Sequence, residues 1–203
     1  MSNSKLVKFL NNTKEQPTTK KNYTPVVFSD SKGNWLQKHT KRSHTVEKEI
    51  TWWCKSGSKI TDRYYWLKSN LQQKILELGP IWIYVWLGTC NLTSYNKKYI
   101  SINAHDDESI NHLVEYYNKI IELTKQYNNC KITILETPVY SIYHWNCHRK
   151  HKTPEEFLEQ DTVLADQIIK LNYKVKEIND SIISHSPKFS NGLKIKSKYK
   201  KKE

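Results

Sequence analysis

The sequence predicts a three-layer α/β sandwich around a central parallel sheet of about four to five strands, an arrangement of the flavodoxin-like type. Short apolar runs alternate along the chain with amphipathic stretches whose apolar residues recur every three or four positions. Residues 81–87 are continuously apolar, which is typical of a strand buried on both faces in the middle of a parallel sheet. With 203 residues, the chain is long enough for one domain with a sizeable core.

The alternation predicts four strands and four helices in chain order. Apolar and β-favouring runs predict strands at residues 26–28, 46–54, 81–87 and 131–135. Helical spacing predicts helices at about residues 34–41, 60–78, 110–127 and 154–183. Gly79-Pro80 ends the second helix, and Pro154 suits the first position of the last one. Residues 93–107 and 139–153 are predicted to be irregular, and the second of these segments is rich in aromatic and histidine side chains.

Composition divides the chain into three regions. Residues 1–22 are polar and basic, which predicts a flexible N-terminal arm. Residues 23–190 carry the strand and helix patterns and are predicted to form a single α/β domain. Residues 191–203 are rich in lysine with almost no apolar residues, which predicts a disordered basic tail that also fits a nuclear-localisation patch.

The charge balance is strongly basic. There are 33 Lys and Arg against 20 Asp and Glu, a formal net charge of +13. Such a chain is attracted to polyanions, namely nucleic acid, an anionic membrane surface or acidic glycans. Charge alone does not choose among these partners, and a solvated basic surface without a dedicated ligand is the alternative.

The cysteines and the hydropathy favour an intracellular protein, cytoplasmic or nuclear. Cys54, Cys90, Cys130 and Cys147 are scattered without a CxxC pair or zinc-type spacing, which predicts reduced thiols. No motif for a metal or an organic cofactor is present, so none is predicted. The N-terminal region lacks the apolar core of a signal peptide, and no run approaches the roughly 20 apolar residues of a membrane span.

Three predicted strands end in polar turns of distinctive composition. These turns are Ser29-Asp30-Ser31, Ser56-Gly57-Ser58 and Gly88-Thr89-Cys90-Asn91. The carboxyl ends of parallel strands lie on one rim of the sheet, so we expect the three turns to converge on one crevice. A serine there can act as a nucleophile, with backbone N–H groups of the following helix stabilising an oxyanion. The alternative is that Ser29, Asp30 and Ser31 cap a helix.

The three turns resemble the first three sequence blocks of the SGNH (GDSL-type) hydrolases. The first block of that family is Gly-Asp-Ser, so the resemblance implies that Ser31 is the nucleophile and Asp30 its neighbour in the block. The second block supplies a glycine whose N–H joins the oxyanion hole, which matches Gly57. The third block is Gly-x-Asn-Asp. Gly88 and Thr89 match it, whereas Cys90 stands at the asparagine position and Asn91 one place later.

The family's C-terminal Asp-x-x-His block has no counterpart in this sequence. Asp180 and His185 are the nearest pair, and His185 is the candidate general base. His105 and the histidines of residues 144–151 are alternatives. Residues 86–93 also resemble a divergent SGNH subgroup associated with animal viruses and mobile elements.

Two functional hypotheses follow. The first is a serine esterase that acts on an acyl ester or an acetylated sugar, with a degenerate catalytic set. That set comprises Ser31, Asp30, Gly57, Gly88, Thr89, Asn91 and His185. The second is a catalytically inactive SGNH-like binding module, most simply for nucleic acid, which would use its basic arms and the aromatic-basic loop at residues 143–152. The alternative for that loop is a lid packed by its own aromatic side chains.

Overall fold

The computed structural model describes residues 22–40 and 50–187 of the chain. The strands are β1 (Thr24–Ser29), β2 (Thr51–Cys54), β3 (Ile81–Trp86), β4 (Thr93–Tyr95), β5 (Ile100–Ile102) and β6 (Cys130–Ile134). The α-helices are α1 (Ser31–Thr40), α2 (Ile60–Leu78), α3 (Thr89–Leu92), α4 (Glu108–Lys125), α5 (Ile142–His148) and α6 (Leu158–Ser181). A 3-10 helix, Pro154–Phe157, precedes α6.

The central sheet is parallel and has four strands in the order β2-β1-β3-β6. This confirms the predicted α/β fold with a central parallel sheet. In the register of the sheet, Ser29 at the end of β1 is paired with Cys54 on one side and Trp86 on the other. Three strands therefore end side by side, and the segments that follow them begin on the same rim.

Helices cover the two faces of the sheet unequally. Along the sheet, β2 lies on one side of β1, and β3 and β6 lie on the other side, so the chain reverses its direction of travel across the sheet after β2. Because crossovers between parallel strands are right-handed, α1 lies on one face of the sheet, and α2 and α4 lie on the other. Helix α6 packs against α4 and completes that second layer. The side of the sheet facing this layer carries fully buried Val26, Phe28, Ile83 and Val85.

The β3 strand corrects one sequence expectation. Its burial alternates, with Ile81, Ile83 and Val85 buried and the aromatic residues between them half-buried. Residues 81–87 were predicted to be buried on both faces, but only one face is fully covered. Tryptophan and tyrosine tolerate this position because each has an apolar ring and a polar group. The Trp82 indole N–H, for example, donates to Thr133 Oγ1 at 2.9 Å.

Local hydrogen bonding explains the other differences from the predicted elements. Residues 93–107 contain the antiparallel β4–β5 hairpin, and the predicted loop at 139–153 contains α5. Asp161 caps α5 by accepting from Ile142 N at 2.5 Å and Tyr143 N at 3.2 Å. The predicted strand at 46–54 is observed as Thr51–Cys54, and residues 46–49 lie outside the described part. The N-terminal arm, except Asn22, and the whole 191–203 tail also lie outside it.

Asparagine side chains satisfy the backbone at the outer edge of the sheet. Asn179 of α6 accepts from Ile134 N at 2.9 Å and donates to Ile134 O at 2.7 Å. Asn179 thus takes the place of one residue of a neighbouring strand, which protects an edge of β6 that would otherwise be open for pairing. Asn172 makes the same pair of bonds to Thr137, beyond the end of β6, at 2.8 and 2.9 Å.

Within residues 22–40 and 50–187, the helices are too short or too polar to serve as a transmembrane span.

Candidate functional site

The rim where β1, β2 and β3 end is built on Ser29. Its side chain is fully buried, donates to Trp86 O at 2.7 Å and accepts from Gly33 N at 3.2 Å. Gly33 has to be a glycine because a Cβ there would lie 2.6 Å from Ser29 Cβ. Ser29 therefore joins β1, β3 and α1 and has a structural role.

Ser31 is the first residue of α1, three positions before the predicted start of that helix. Asp30 causes the early start, because its Oδ1 accepts from Lys32 N at 2.9 Å, the bond that a helix N-cap makes. Asp30 therefore caps α1, as the alternative interpretation of the first turn predicted. Ser31 itself is half-buried, and its hydroxyl forms no hydrogen bond with any residue in the described part of the chain.

A buried ion pair within the first turn is hydrogen-bonded to the third turn. The Asp30 carboxylate is 0% exposed, and its Oδ2 lies 2.7 Å from Lys32 Nζ. The Thr89 hydroxyl donates to the same oxygen at 2.9 Å and accepts from Lys32 Nζ at 2.8 Å. Sequence reasoning did not identify Lys32 as a site residue. The available signal was its position two residues after Asp30 in the first turn of a helix.

The second turn joins the same cluster. Asn34 Nδ2 of α1 donates to Ser56 Oγ at 2.9 Å, and Gly57 adopts a left-handed φ of 73°. Burial raises the pKa of the Cys90 thiol, while hydrogen bonds from Thr89 and the Gly57 backbone lower it to a smaller extent. The Gly57 N–H, the predicted oxyanion donor, thus lies next to the thiol of the third turn.

Asn91 has a partner of its own. The residue is 5% exposed, and its Oδ1 accepts from Ile60 N at 3.0 Å, at the start of α2. Gly88 makes this turn possible with a φ of 125°, where an added Cβ would lie 3.3 Å from Thr137 Oγ1. Asn91 therefore anchors the third turn to α2 through its Oδ1, and its Nδ2 is the group that could donate to an oxyanion.

These bonds bring the three turns together at the carboxyl rim, as the parallel sheet requires. The first turn contacts the third through Lys32 and Thr89, and the second through Asn34 and Ser56. The third contacts α2, which follows the second turn, through Asn91. The result is one crevice containing Ser31, Gly57, Cys90 and a largely buried cation.

The candidate general base, His185, does not hydrogen-bond Ser31. His185 follows α6 and is exposed, between Ser184, which hydrogen-bonds Thr133 Oγ1 at 2.6 Å, and Ser186, which accepts from Glu136 N at 3.1 Å. These bonds hold the segment around His185 against β6 and the residues that follow it. Asp180 lies within α6. The role of His185 as the base stays a prediction.

The other histidines proposed as bases have different surroundings. His151 packs edge-on against Tyr99 with ring centroids 4.5 Å apart, and His105 and His144 are exposed. His148 is exposed as well. A histidine outside the predicted set, His112 on α4, shares a hydrogen bond of 3.0 Å with Thr61. No histidine in residues 22–40 and 50–187 hydrogen-bonds Ser31. Within the same residues, no three His, Cys, Asp or Glu side chains come together in a way that could hold a metal ion.

The fold has counterparts among solved structures. A GDSL-like lipase from Bacteroides thetaiotaomicron matches with a TM-score of 0.52 and 14% identity, over 90% of this chain and 75% of that one. An acetyl xylan esterase matches with a TM-score of 0.46 and 17% identity, over 77% of this chain and 73% of that one. No protein-family model matches the chain, and a search of curated proteins finds no significant match.

The likeness concerns the fold. This chain shares an α/β fold with the GDSL-like lipase, and its own first three strands end in turns on one rim of the parallel sheet. At 14% identity, this likeness establishes the fold and leaves the chemistry to the residues of the site. The narrower resemblance to proteins of animal viruses and mobile elements stays a prediction.

Proposed function

We propose that this chain is a non-catalytic protein of SGNH fold that binds nucleic acid. The first part of the proposal, the absence of catalysis, rests on the surroundings of the Ser31 hydroxyl. Among the described residues no histidine hydrogen-bonds this hydroxyl, and Cys90 stands where the family has an asparagine. A serine hydroxyl without an adjacent base is a weak nucleophile at neutral pH.

The size of the expected loss supports binding over catalysis. A positioned general base contributes about 10²–10⁴ in rate. One oxyanion donor contributes about 10²–10³, and a thiol is a poor replacement for an amide N–H. Both deficits fall on the same site, so the expected rate is lower than that of a complete site by roughly 10⁴–10⁷.

The charge of the chain supports the second half of the proposal. The net charge of +13 predicts attraction to polyanions, and phosphate contacts supply most of the affinity in non-specific nucleic-acid binding. An intracellular location, cytoplasmic or nuclear, belongs to this proposal, as does a contribution from the lysine-rich tail at residues 191–203.

A serine esterase is the second candidate function. It is favoured by the position of Ser31 at the start of α1, where backbone N–H groups face the rim and the hydroxyl is not engaged. Its substrate would be an acyl ester or an acetylated sugar. Gly57 N–H would then act as an oxyanion donor.

Hydrolysis of a short-chain activated ester separates the two candidates. We expect the wild-type protein and Ser31→Ala to have the same low rate, because surface lysines and histidines hydrolyse such esters without a site. Ser56→Ala is the matched control, since it removes a hydroxyl from the neighbouring turn. Turnover that disappears in Ser31→Ala and persists in Ser56→Ala would overturn the non-catalytic assignment.

Binding of a fluorescent single-stranded oligonucleotide tests the nucleic-acid half. We expect affinity to fall linearly on a log–log scale as NaCl rises from 50 to 300 mM, with a slope of about −0.7 for each phosphate contact. No binding at 50 mM, or an affinity independent of salt, would overturn the proposal.

A further inference from the structure

We infer that the β4–β5 hairpin and α5 together form a face that binds single-stranded nucleic acid. This inference rests on the proposed function and assigns it to particular residues. The two segments are about 45 positions apart in sequence and meet through Asn146, which is buried. Its amide accepts from Ile100 N at 3.0 Å and donates to Ile100 O at 2.8 Å. Tyr99 adds a bond from its hydroxyl to Lys150 O at 3.4 Å.

This hairpin–α5 face carries only positive formal charge. Residues 93–103 and 142–153 contain no Asp or Glu, and their Lys and Arg side chains are exposed: Lys97, Lys98, Arg149, Lys150 and Lys152. None of these five forms an ion pair with a described residue. Lys119, Lys125 and Lys174 differ, because each is paired with a glutamate of the same helix.

The acidic residues nearest in sequence to this face form no ion pair with its five cations. Glu155 and Glu156 belong to the 3-10 helix that follows, and the Thr153 hydroxyl bonds Glu156 at 2.5 Å. Asp161 is engaged at the start of α5, where it also accepts from the Ser141 hydroxyl at 2.5 Å. The five cations therefore remain available for phosphates.

Aromatic rings lie among these cations. The Trp145 side chain is 40% exposed, with the Arg149 guanidinium 5.1 Å from its ring centroid. Tyr95 is 60% exposed on the hairpin, and Lys98 Nζ lies 4.8 Å from the Tyr99 ring centroid. Exposed rings beside cations bind single strands by stacking unpaired bases while the cations contact the backbone, and a duplex does not offer its bases in this way.

Charge reversal on the face, with a matched control elsewhere, tests the assignment in the full chain. The face variant is Lys98→Glu with Arg149→Glu. The control is Lys119→Glu with Lys125→Glu, which changes the net charge equally on α4. At 100 mM NaCl we expect the face variant to bind an oligothymidylate at least tenfold more weakly and its salt slope to shrink by about 1.4, two phosphate contacts. We expect the control to change affinity by less than threefold, because charges farther than about 10 Å are screened.

Replacement of Trp145 separates base stacking from simple charge attraction. We expect Trp145→Ala to weaken oligothymidylate binding about fivefold or more, Trp145→Phe to retain most of the affinity, and inorganic polyphosphate to be indifferent to both changes. Equal weakening in the face variant and the control, with wild-type binding intact, would overturn this face and leave the proposed function standing. Loss of polyphosphate and oligonucleotide binding to the same extent in Trp145→Ala would overturn the stacking role. Failure of the wild type to bind at all would overturn both.

Discussion

At the scale of single residues, Lys32 is the main finding at the rim. Its ammonium group is the counterion of a carboxylate that is fully buried, and the same group reaches Thr89 in the third turn. A buried carboxylate deprived of its partner is costly because water cannot replace the lost interaction. Lys32 is thus a structural link between the first and third turns, independent of any chemistry at Ser31.

We predict that Lys32→Met lowers the free energy of unfolding by about 3–5 kcal/mol at pH 7. Urea denaturation measures the change, and Lys38→Met is the control because that lysine is exposed in the same helix. Adding Asp30→Asn to Lys32→Met should restore part of the loss, since the uncompensated charge is removed. A loss below 1 kcal/mol for Lys32→Met would show that Asp30 does not depend on this cation.

At the scale of elements, asparagine side chains substitute for missing strand neighbours. Asn179 pairs with both backbone groups of Ile134 on the outer edge of β6, and Asn146 does the same for Ile100 in the hairpin. Both asparagines are buried, so their partners have no access to water. These contacts fix where α6 and α5 lie against their strands.

We predict that Asn179→Ala lowers the free energy of unfolding by roughly 2–5 kcal/mol, because the N–H and C=O of Ile134 are left buried without partners. Asn118→Ala, at an exposed position of α4, should change it by less than about 0.5 kcal/mol. Asn179→Ala also opens the edge of β6, so size-exclusion chromatography of that variant should detect concentration-dependent association. Equal stability of the two variants would refute the role of Asn179.

At the scale of the whole molecule, burial of titratable groups makes the fold sensitive to alkali. Burial raises the pKa of the Cys54 thiol to about 11 and that of Cys130 to about 12. Burial also raises the pKa of Tyr117, whose hydroxyl donates to Leu87 O at 3.0 Å. In the unfolded chain the pKa of a thiol is about 8.5, so the unfolded state loses these protons at a lower pH than the native state.

We predict that the free energy of unfolding changes little between pH 7 and pH 8 and falls from about pH 8.5 to pH 11, because over the higher range the native state holds more protons than the unfolded state. Urea denaturation at unit pH intervals from 7 to 11 measures the slope. Cys54→Ala with Cys130→Ala should have a shallower slope than the wild type. An identical slope would mean that these thiols titrate alike in both states.

Several features of this protein were determined by local sequence. Runs of apolar residues and helical spacing predicted the sheet and its main helices, because burial on one face imposes a periodicity of two or 3.6 residues. The three polar turns predicted a common rim, because parallel strands all end at the same edge of a sheet. The resemblance of those turns to SGNH blocks then placed Ser31, Gly57 and Gly88 on that rim.

Other features were decided only by tertiary structure. The hairpin at β4–β5 and helix α5 lack a strong periodic pattern, and their stability depends on contacts made by Asn146 and Asp161 from distant parts of the chain. The sequence likewise gave no distances between Ser31 and any histidine. Hydrogen bonds of Ser184 and Ser186 hold the segment around His185 against β6 and the residues after it, and a capping bond commits the Asn91 Oδ1 to α2. Local propensity selects elements, whereas the partner of a polar side chain is fixed by which elements pack side by side.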